Sequence, residues 1–249
     1  MKRFLRIYKR RFSILFRRIR NLNKTRVVVL GDSHTTIFNY INKHYKIKYY
    51  FEVGSVSGAT AIGAVNPNSK TNALNVFRKK INRTSKKATI IMQLGEVDCG
   101  FVIWFLAQKK QTSIEEQFNK SINNYKNFIV NELINKGFNK IIIMSATLPT
   151  LKENVAGIGE IANLRKEVTA SQKERTKITL DYNKSLKEFS SHHGEITFLD
   201  TDDILLGENG IIKDEFLNND PLDHHNDAIR YSKIIIEKLK KDNYKIFKC

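Results

Sequence analysis

Arg26-Val27-Val28-Val29-Leu30-Gly31-Asp32-Ser33-His34 is the stretch that decides the fold. Four apolar residues in succession form a strand covered on both faces, because a half-solvated strand would alternate polar and apolar positions. The chain then turns polar at once. Asp and Ser are the side chains that open helices, accepting hydrogen bonds from the free amides of the first turn. A buried strand running straight into a helix start is the opening of a βαβ unit. Residues 47–53 form a second, more amphipathic strand, residues 88–94 and 140–145 are again of the buried type, and residues 196–200 make a fifth. Helical stretches lie between them. Ser113-Ile114-Glu115-Glu116 is a capping box opening a helix that runs to 135 and stops at Gly137, and residues 171–190 and 227–241 are two more. Alternating strands and helices predict an α/β domain over 25–249, with a parallel sheet and right-handed crossovers.

The 249 residues carry 43 Lys+Arg against 25 Asp+Glu, a net charge of +18. With 41% hydrophobic residues there is ample apolar material for a core, so global disorder is excluded. The charge is concentrated. Residues 1–24 hold ten basic side chains and no acid, so +8 remains for the other 225 residues. In that segment Leu5, Tyr8, Phe12, Leu15, Ile19 and Leu22 recur every three or four residues, the stripe of an amphipathic helix. Such an Arg-rich helix suits the headgroup layer of an anionic membrane, or a partner of like charge to that layer. Its longest apolar run is too short for a secretory signal, and no stretch of the chain approaches the roughly 20 apolar residues of a membrane span. Cys99 and Cys249 cannot form a disulfide framework, and no Cys/His cluster has zinc-ligand spacing. The expected setting is a reducing compartment, with the chain cytoplasmic and peripheral at the inner face of a membrane.

In an open parallel sheet, ligands bind beyond the carboxyl ends of the strands. Gly31-Asp32-Ser33-His34, Gly54-Ser55-Val56-Ser57-Gly58-Ala59-Thr60 and Gly95-Glu96-Val97-Asp98-Cys99-Gly100 all fall there. Asp220-Pro221-Leu222-Asp223-His224-His225-Asn226-Asp227 stands just before the last helix. Ser33, at a helix start, can act as a nucleophile if a base takes its proton. His224 or His225 can be that base, with Asp220 or Asp223 holding the imidazole. The amides of Ser33 and Gly58 can receive an oxyanion. His34 is expected to be a supporting residue, Cys99 a packed one, and His192-His193 a helix C-terminal feature. Paired histidines also suit a metal, but without further spaced ligands none is expected.

This order of blocks resembles the SGNH or GDSL hydrolase superfamily. The resemblance spans nearly all of 25–249, through short motifs whose combination and spacing carry it. It implies a three-layer, flavodoxin-like α/β sandwich on a five-stranded parallel sheet, and acyl-ester chemistry without a cofactor. Ser33 takes the nucleophile position and Gly58 the oxyanion-glycine position, and Asp98 of the third block joins Gly58 in the oxyanion and substrate-binding set. There are two departures. The third block is normally Gly-x-Asn-Asp, and here Val97 fills the Asn position; loss of such a donor costs about two to three powers of ten in rate. The last block is normally Asp-x-x-His, and here Pro221 and Leu222 stand three residues before His224 and His225. Asp220 with His224 is the preferred pair, with His225 as the alternative.

The blocks are also similar to a subset of the superfamily found among bacterial surface-polysaccharide and capsule functions. The expected function is therefore O-acyl transfer to, or O-acyl ester cleavage from, a carbohydrate. If the enzyme is a transferase, a donor such as acetyl-CoA is implied. Two other classes follow from the same sequence. One is a non-catalytic scaffold or glycan-binding protein in a membrane-associated complex, motivated by Val97. The other is a nucleic-acid binder, motivated by the charge and opposed by the absence of any recognisable reading motif.

Overall fold

A computed structural model describes residues 24–152 and 168–241. Five strands, β1 (Thr25–Gly31), β2 (Tyr49–Ser55), β3 (Thr89–Gln93), β4 (Ile141–Met144) and β5 (Ile196–Leu199), form one sheet in the order β2-β1-β3-β4-β5. Every neighbouring pair is parallel. The register sets Val29 opposite Val53 on one side and Ile91 on the other. The second strand begins two residues later than the apolar pattern suggested, because Ile47 packs against the core from the preceding loop.

Alternation along the strands distributes side chains to two cores. Val28, Leu30, Ile90, Met92, Ile141 and Ile143 point to one face. That face is covered by α2 (Ala61–Ala64), α3 (Ala73–Ile81), α4 (Ile103–Lys110), α5 (Ile114–Ile129) and α6 (Gln172–Ser191). Val27, Val29, Ile91, Ile142 and Met144 point to the other face, beneath α1 (Ile37–His44), α7 (Asp202–Leu205) and α8 (Ala228–Lys241). Central strands thus need apolar residues at every position, which is why β1 and β3 are continuous apolar runs. The three-layer α/β sandwich is the expected one.

The helix ends follow local chemistry. The Ser113 hydroxyl accepts from the Glu116 amide at 3.0 Å and starts α5. After α5 the chain widens into one π-helical turn, Val130–Ile134, and ends near Gly137, whose φ of +83° suits glycine. A complete reciprocal capping box opens α6 at Ser171 and Glu174.

In chain order β1 is followed by β2 on one side and then β3 on the other, so the connections diverge above the β1–β3 pair. That is the topological switch point, where a crevice forms at the carboxyl edge. Gly31 stands at this point. A Cβ there would overlap the Gln93 carbonyl oxygen and press on Thr35, so only glycine lets β1 run this close to β3. The basic helix expected over 1–24 lies outside the described residues, apart from Lys24. Among the described residues no helix is long and apolar enough to cross a membrane.

Candidate active site

The loop after β1 is fixed from three sides. The Asp32 amide donates to the Gln93 carbonyl at the end of β3 (3.3 Å), while the Ser55 and Thr35 hydroxyls donate to the Asp32 carbonyl (2.8 and 2.7 Å). The Asp32 carboxylate caps the short 3₁₀ turn Ser33–Thr36 by accepting from the His34 amide at 2.9 Å. Ser33 is thereby held half-buried at a helix start, its hydroxyl facing the crevice side of the loop before α8. Its Oγ lies 3.5 Å from His224 Nε2. That is a loose contact of the kind that tightens when a substrate fills a site.

His224 is positioned through its backbone. Its carbonyl accepts from His34 Nε2 (3.2 Å) and from the Thr150 hydroxyl (2.9 Å) in the loop after β4. His34 also reaches Asp32 Oδ1 through Nδ1 at 3.1 Å. A carboxylate and a carbonyl both accept, so both ring nitrogens donate and His34 is an imidazolium. Burial alone would depress its pKa, but the charge and hydrogen bond of Asp32, with Glu96 and the His224 carbonyl, outweigh this and raise it to about 9. His34 is thus the buried supporting residue expected from sequence, although its link to His224 was not legible there.

The sequence-derived pairing in the last loop needs correction. Asp220 is exposed, and its carboxylate accepts from the Leu222 amide at 2.9 Å within its own turn; it does not hold His224. Pro221 and Leu222 make that turn tight, so the carboxylate points along it. Asp223 instead accepts from His225, through Nδ1 at 2.6 Å and the amide at 3.0 Å. Partial burial would raise the Asp223 carboxyl, but these bonds, with the charges of His225 and then His224, hold it below the usual carboxylate range. His225 is shifted down by burial and by the His34 charge, against the pull of Asp223. The three imidazoles form one cluster, with ring centroids 4.1 Å apart for His224–His225 and 4.7 Å for His34–His225.

Gly58 takes a φ of +68°, a conformation that favours glycine, in the loop after β2. Asp98 is a second correction. It is fully buried, accepting from the Ala61 amide (2.9 Å) and the Ser121 hydroxyl (2.8 Å), so it anchors the helix that follows the Gly58 loop and does not face the crevice. Burial raises its carboxyl to about 6. Val97 is buried and supplies no polar group. Cys99 is packed, and burial pushes its thiol well up, away from thiolate chemistry. His192 caps the end of α6, its ring nitrogen 2.7 Å from the Glu188 carbonyl. Sequence reasoning missed Thr150, which lies in another loop at the same sheet edge, and placed Glu96 at that edge without assigning a role to its carboxylate, which comes within 3.9 Å of the His34 ring.

No family model matches the sequence, and no curated protein matches it significantly. Solved structures do match in shape. A protein from Streptococcus pneumonia assigned as a platelet activating factor aligns over 87% of this chain and 83% of its own, at 16% identity and a TM-score of 0.55. The native aryl esterase of M. smegmatis aligns over 88% and 99%, at 10% identity and 0.53, and its inhibitor-bound form gives 0.52 at the same identity. The chain shares the α/β fold of these structures. At such identities the likeness concerns the fold, and the chemistry of this chain is argued from its own residues.

The His34 charge has a consequence for stability. Its folded pKa of about 9 lies above the unfolded 6.5. The stabilisation is complete below pH 6.5 and is lost as pH rises through 9, amounting to about 3 kcal/mol. Urea unfolding at pH 6 and 9.5 is expected to show this loss in wild type and a smaller one in His34→Gln. Equal losses in the two would contradict the assignment.

Proposed function

We propose that this chain is a serine-dependent enzyme of acyl-ester chemistry, working through an acyl group carried on Ser33. The observation that carries the proposal is the approach of Ser33 Oγ to His224 Nε2 at the sheet's carboxyl edge, 3.5 Å apart. His224 takes the hydroxyl proton as Oγ attacks the acyl carbonyl carbon, and the carbonyl oxygen becomes an oxyanion. The amides of Ser33, at its helix start, and of Gly58 are the donors for that oxygen. When the ester C–O bond breaks, His224 returns the proton to the leaving alcohol. A second hydroxyl, from water or an acceptor, then gives its proton to His224 and attacks the Ser33 ester. Asp223, whose charge acts on His224, stabilises the transient imidazolium, and the His34–Thr150 clamp on the His224 carbonyl fixes the ring's approach.

The substrate class in this reading is a carbohydrate O-acyl ester or acceptor of bacterial surface-glycan assembly, as the block pattern resembles. The test is to offer the full chain an O-acetylated oligosaccharide, and separately the deacetylated oligosaccharide with acetyl-CoA. Release of acetate marks an esterase, and transfer to sugar marks an acyltransferase. Turnover of aryl acetates alone, with neither saccharide reaction, would refute the carbohydrate assignment.

Residues 1–24 supply ten cations beside an apolar stripe, which fits an anionic membrane surface at the inner face. The full chain is expected to sediment with vesicles containing phosphatidylserine. Replacing Arg10, Arg11, Arg17 and Arg18 by Gln should weaken this by about 1 kcal/mol per residue. Equal binding to neutral vesicles would refute the electrostatic part.

A further inference from the structure

We propose that His34, His224 and His225 form a binding site for one divalent transition-metal ion of the zinc type, whose occupancy holds the serine centre inactive. The inhibitory half rests on the serine reading above, and the ion-binding half does not.

One ring nitrogen from each histidine lies within 4.8 Å of those of the other two. Zinc–nitrogen bonds of about 2.0–2.1 Å separate tetrahedral neighbours by about 3.4 Å, so modest ring rotations close the site. Two of the ligands are already braced. His34 Nδ1 meets the Asp32 carboxylate and His225 Nδ1 meets the Asp223 carboxylate, so each ring turns Nε2 to a metal, that of His34 in exchange for its bond to the His224 carbonyl. A carboxylate orienting the far nitrogen is the usual support of a metal-bound histidine.

The independent observation is His225 Nε2. It is buried and has no hydrogen-bond partner among the described residues. A buried lone pair left unmade costs free energy, and the acyl chemistry has no use for this one. Three carboxylates surround the cluster: Asp32, Asp223 and Glu96, the last 3.9 Å from the His34 ring. They favour a dication in place of the single proton that His34 carries. On binding, His34 releases its Nε2 proton to solvent, and Thr150 keeps its bond to the His224 carbonyl. An all-imidazole donor set suits zinc, copper, nickel or iron and not magnesium or calcium. A cavity of about 220 Å³ lined by His34, Tyr40, Asp223, His225 and Asn226 offers entry and room for a water as fourth ligand. An ion that draws on His224 removes the base from Ser33.

The test titrates the full chain with Zn²⁺ by calorimetry and with Co²⁺ by visible absorption. One ion per chain and intense tetrahedral Co²⁺ bands are expected. Asp223→Asn should weaken binding by about 10–100-fold, His225→Gln by more, and Ser33→Ala should bind as wild type. Circular dichroism identifies any variant that fails to fold, and the conservative Asp223→Asn then decides. No saturable binding, an octahedral Co²⁺ spectrum, or unchanged affinity in folded His225→Gln and Asp223→Asn would overturn the site. In the second arm, saturating Zn²⁺ should slow fluorophosphonate labelling of wild type at least tenfold, reversibly with EDTA. Undiminished labelling of the metal-loaded chain overturns the inhibitory half. Absence of any labelling, with the Co²⁺ bands present, would overturn the serine reading and leave the metal site standing.

Discussion

Ser33→Ala is expected to lower the turnover of an activated acyl ester by about 10⁴- to 10⁶-fold, which is the scale of removing a serine nucleophile. The variant should fold. Ser33 is half-buried and, among the described residues, its hydroxyl makes no hydrogen bond beyond the contact with His224, while its carbonyl, unaffected by the change, still accepts from Thr36. Stability should therefore stay within about 0.5 kcal/mol of wild type. A residual rate above water is expected, because the Ser33 and Gly58 amides remain in place to receive an oxyanion. Steady-state rates with an aryl acetate and a urea unfolding curve on the same preparations separate loss of chemistry from loss of fold. Near wild-type turnover in the folded variant would contradict Ser33 as the nucleophile, whereas no turnover by wild type itself would point to the scaffold reading that Val97 suggests.

The second large effect distinguishes neighbouring histidines. His224→Ala is expected to lower turnover by about 10⁴-fold or more, since the proton on Ser33 then has no acceptor. His225→Ala should cost less than about tenfold, because no proton passes through its ring in this mechanism. The geometry separates the two. His224 Nε2 faces Ser33 while its carbonyl is clamped by His34 and Thr150. His225 turns its Nδ1 to Asp223 and buries its Nε2. Turnover of both variants with the same ester checks the ranking. A reversed ranking would show that His225 is the base and that the loop before α8 rearranges on substrate binding.

The fold was legible because the information is local. β1 and β3 sit between covered faces, so their apolar runs could mean little else, and Ser113 and Gly137 mark helix ends through backbone chemistry close in sequence. Edge strand β2 was less clear at its start, because an edge residue such as Ile47 can pack from a loop as well as from a strand. The site was legible only to the level of loops. Gly-Asp-Ser-His and the Asp/His block could be assigned to one sheet edge from topology alone. Which carboxylate meets which imidazole depends on how a tight turn points its side chains. Asp220 closes its own turn and Asp223 takes the adjacent His225. Asp98 looked like a site residue because of its motif, yet it is buried behind the Gly58 loop, where its carboxylate anchors α2. Thr150 carries no motif at all, and Glu96 stands in the third block without a role that its motif assigns. Their places follow from the packing of β4 and β3 beside β1, which no short-range pattern records.

The serine reading stands most directly on one covalent bond. Intact-mass analysis after treatment with a fluorophosphonate, followed by peptide mapping, should find one adduct per chain, carried on Ser33. The adduct should be absent from Ser33→Ala and form far more slowly on His224→Ala. A chain that takes up no adduct, or one labelled equally in wild type and Ser33→Ala, would contradict a nucleophilic Ser33.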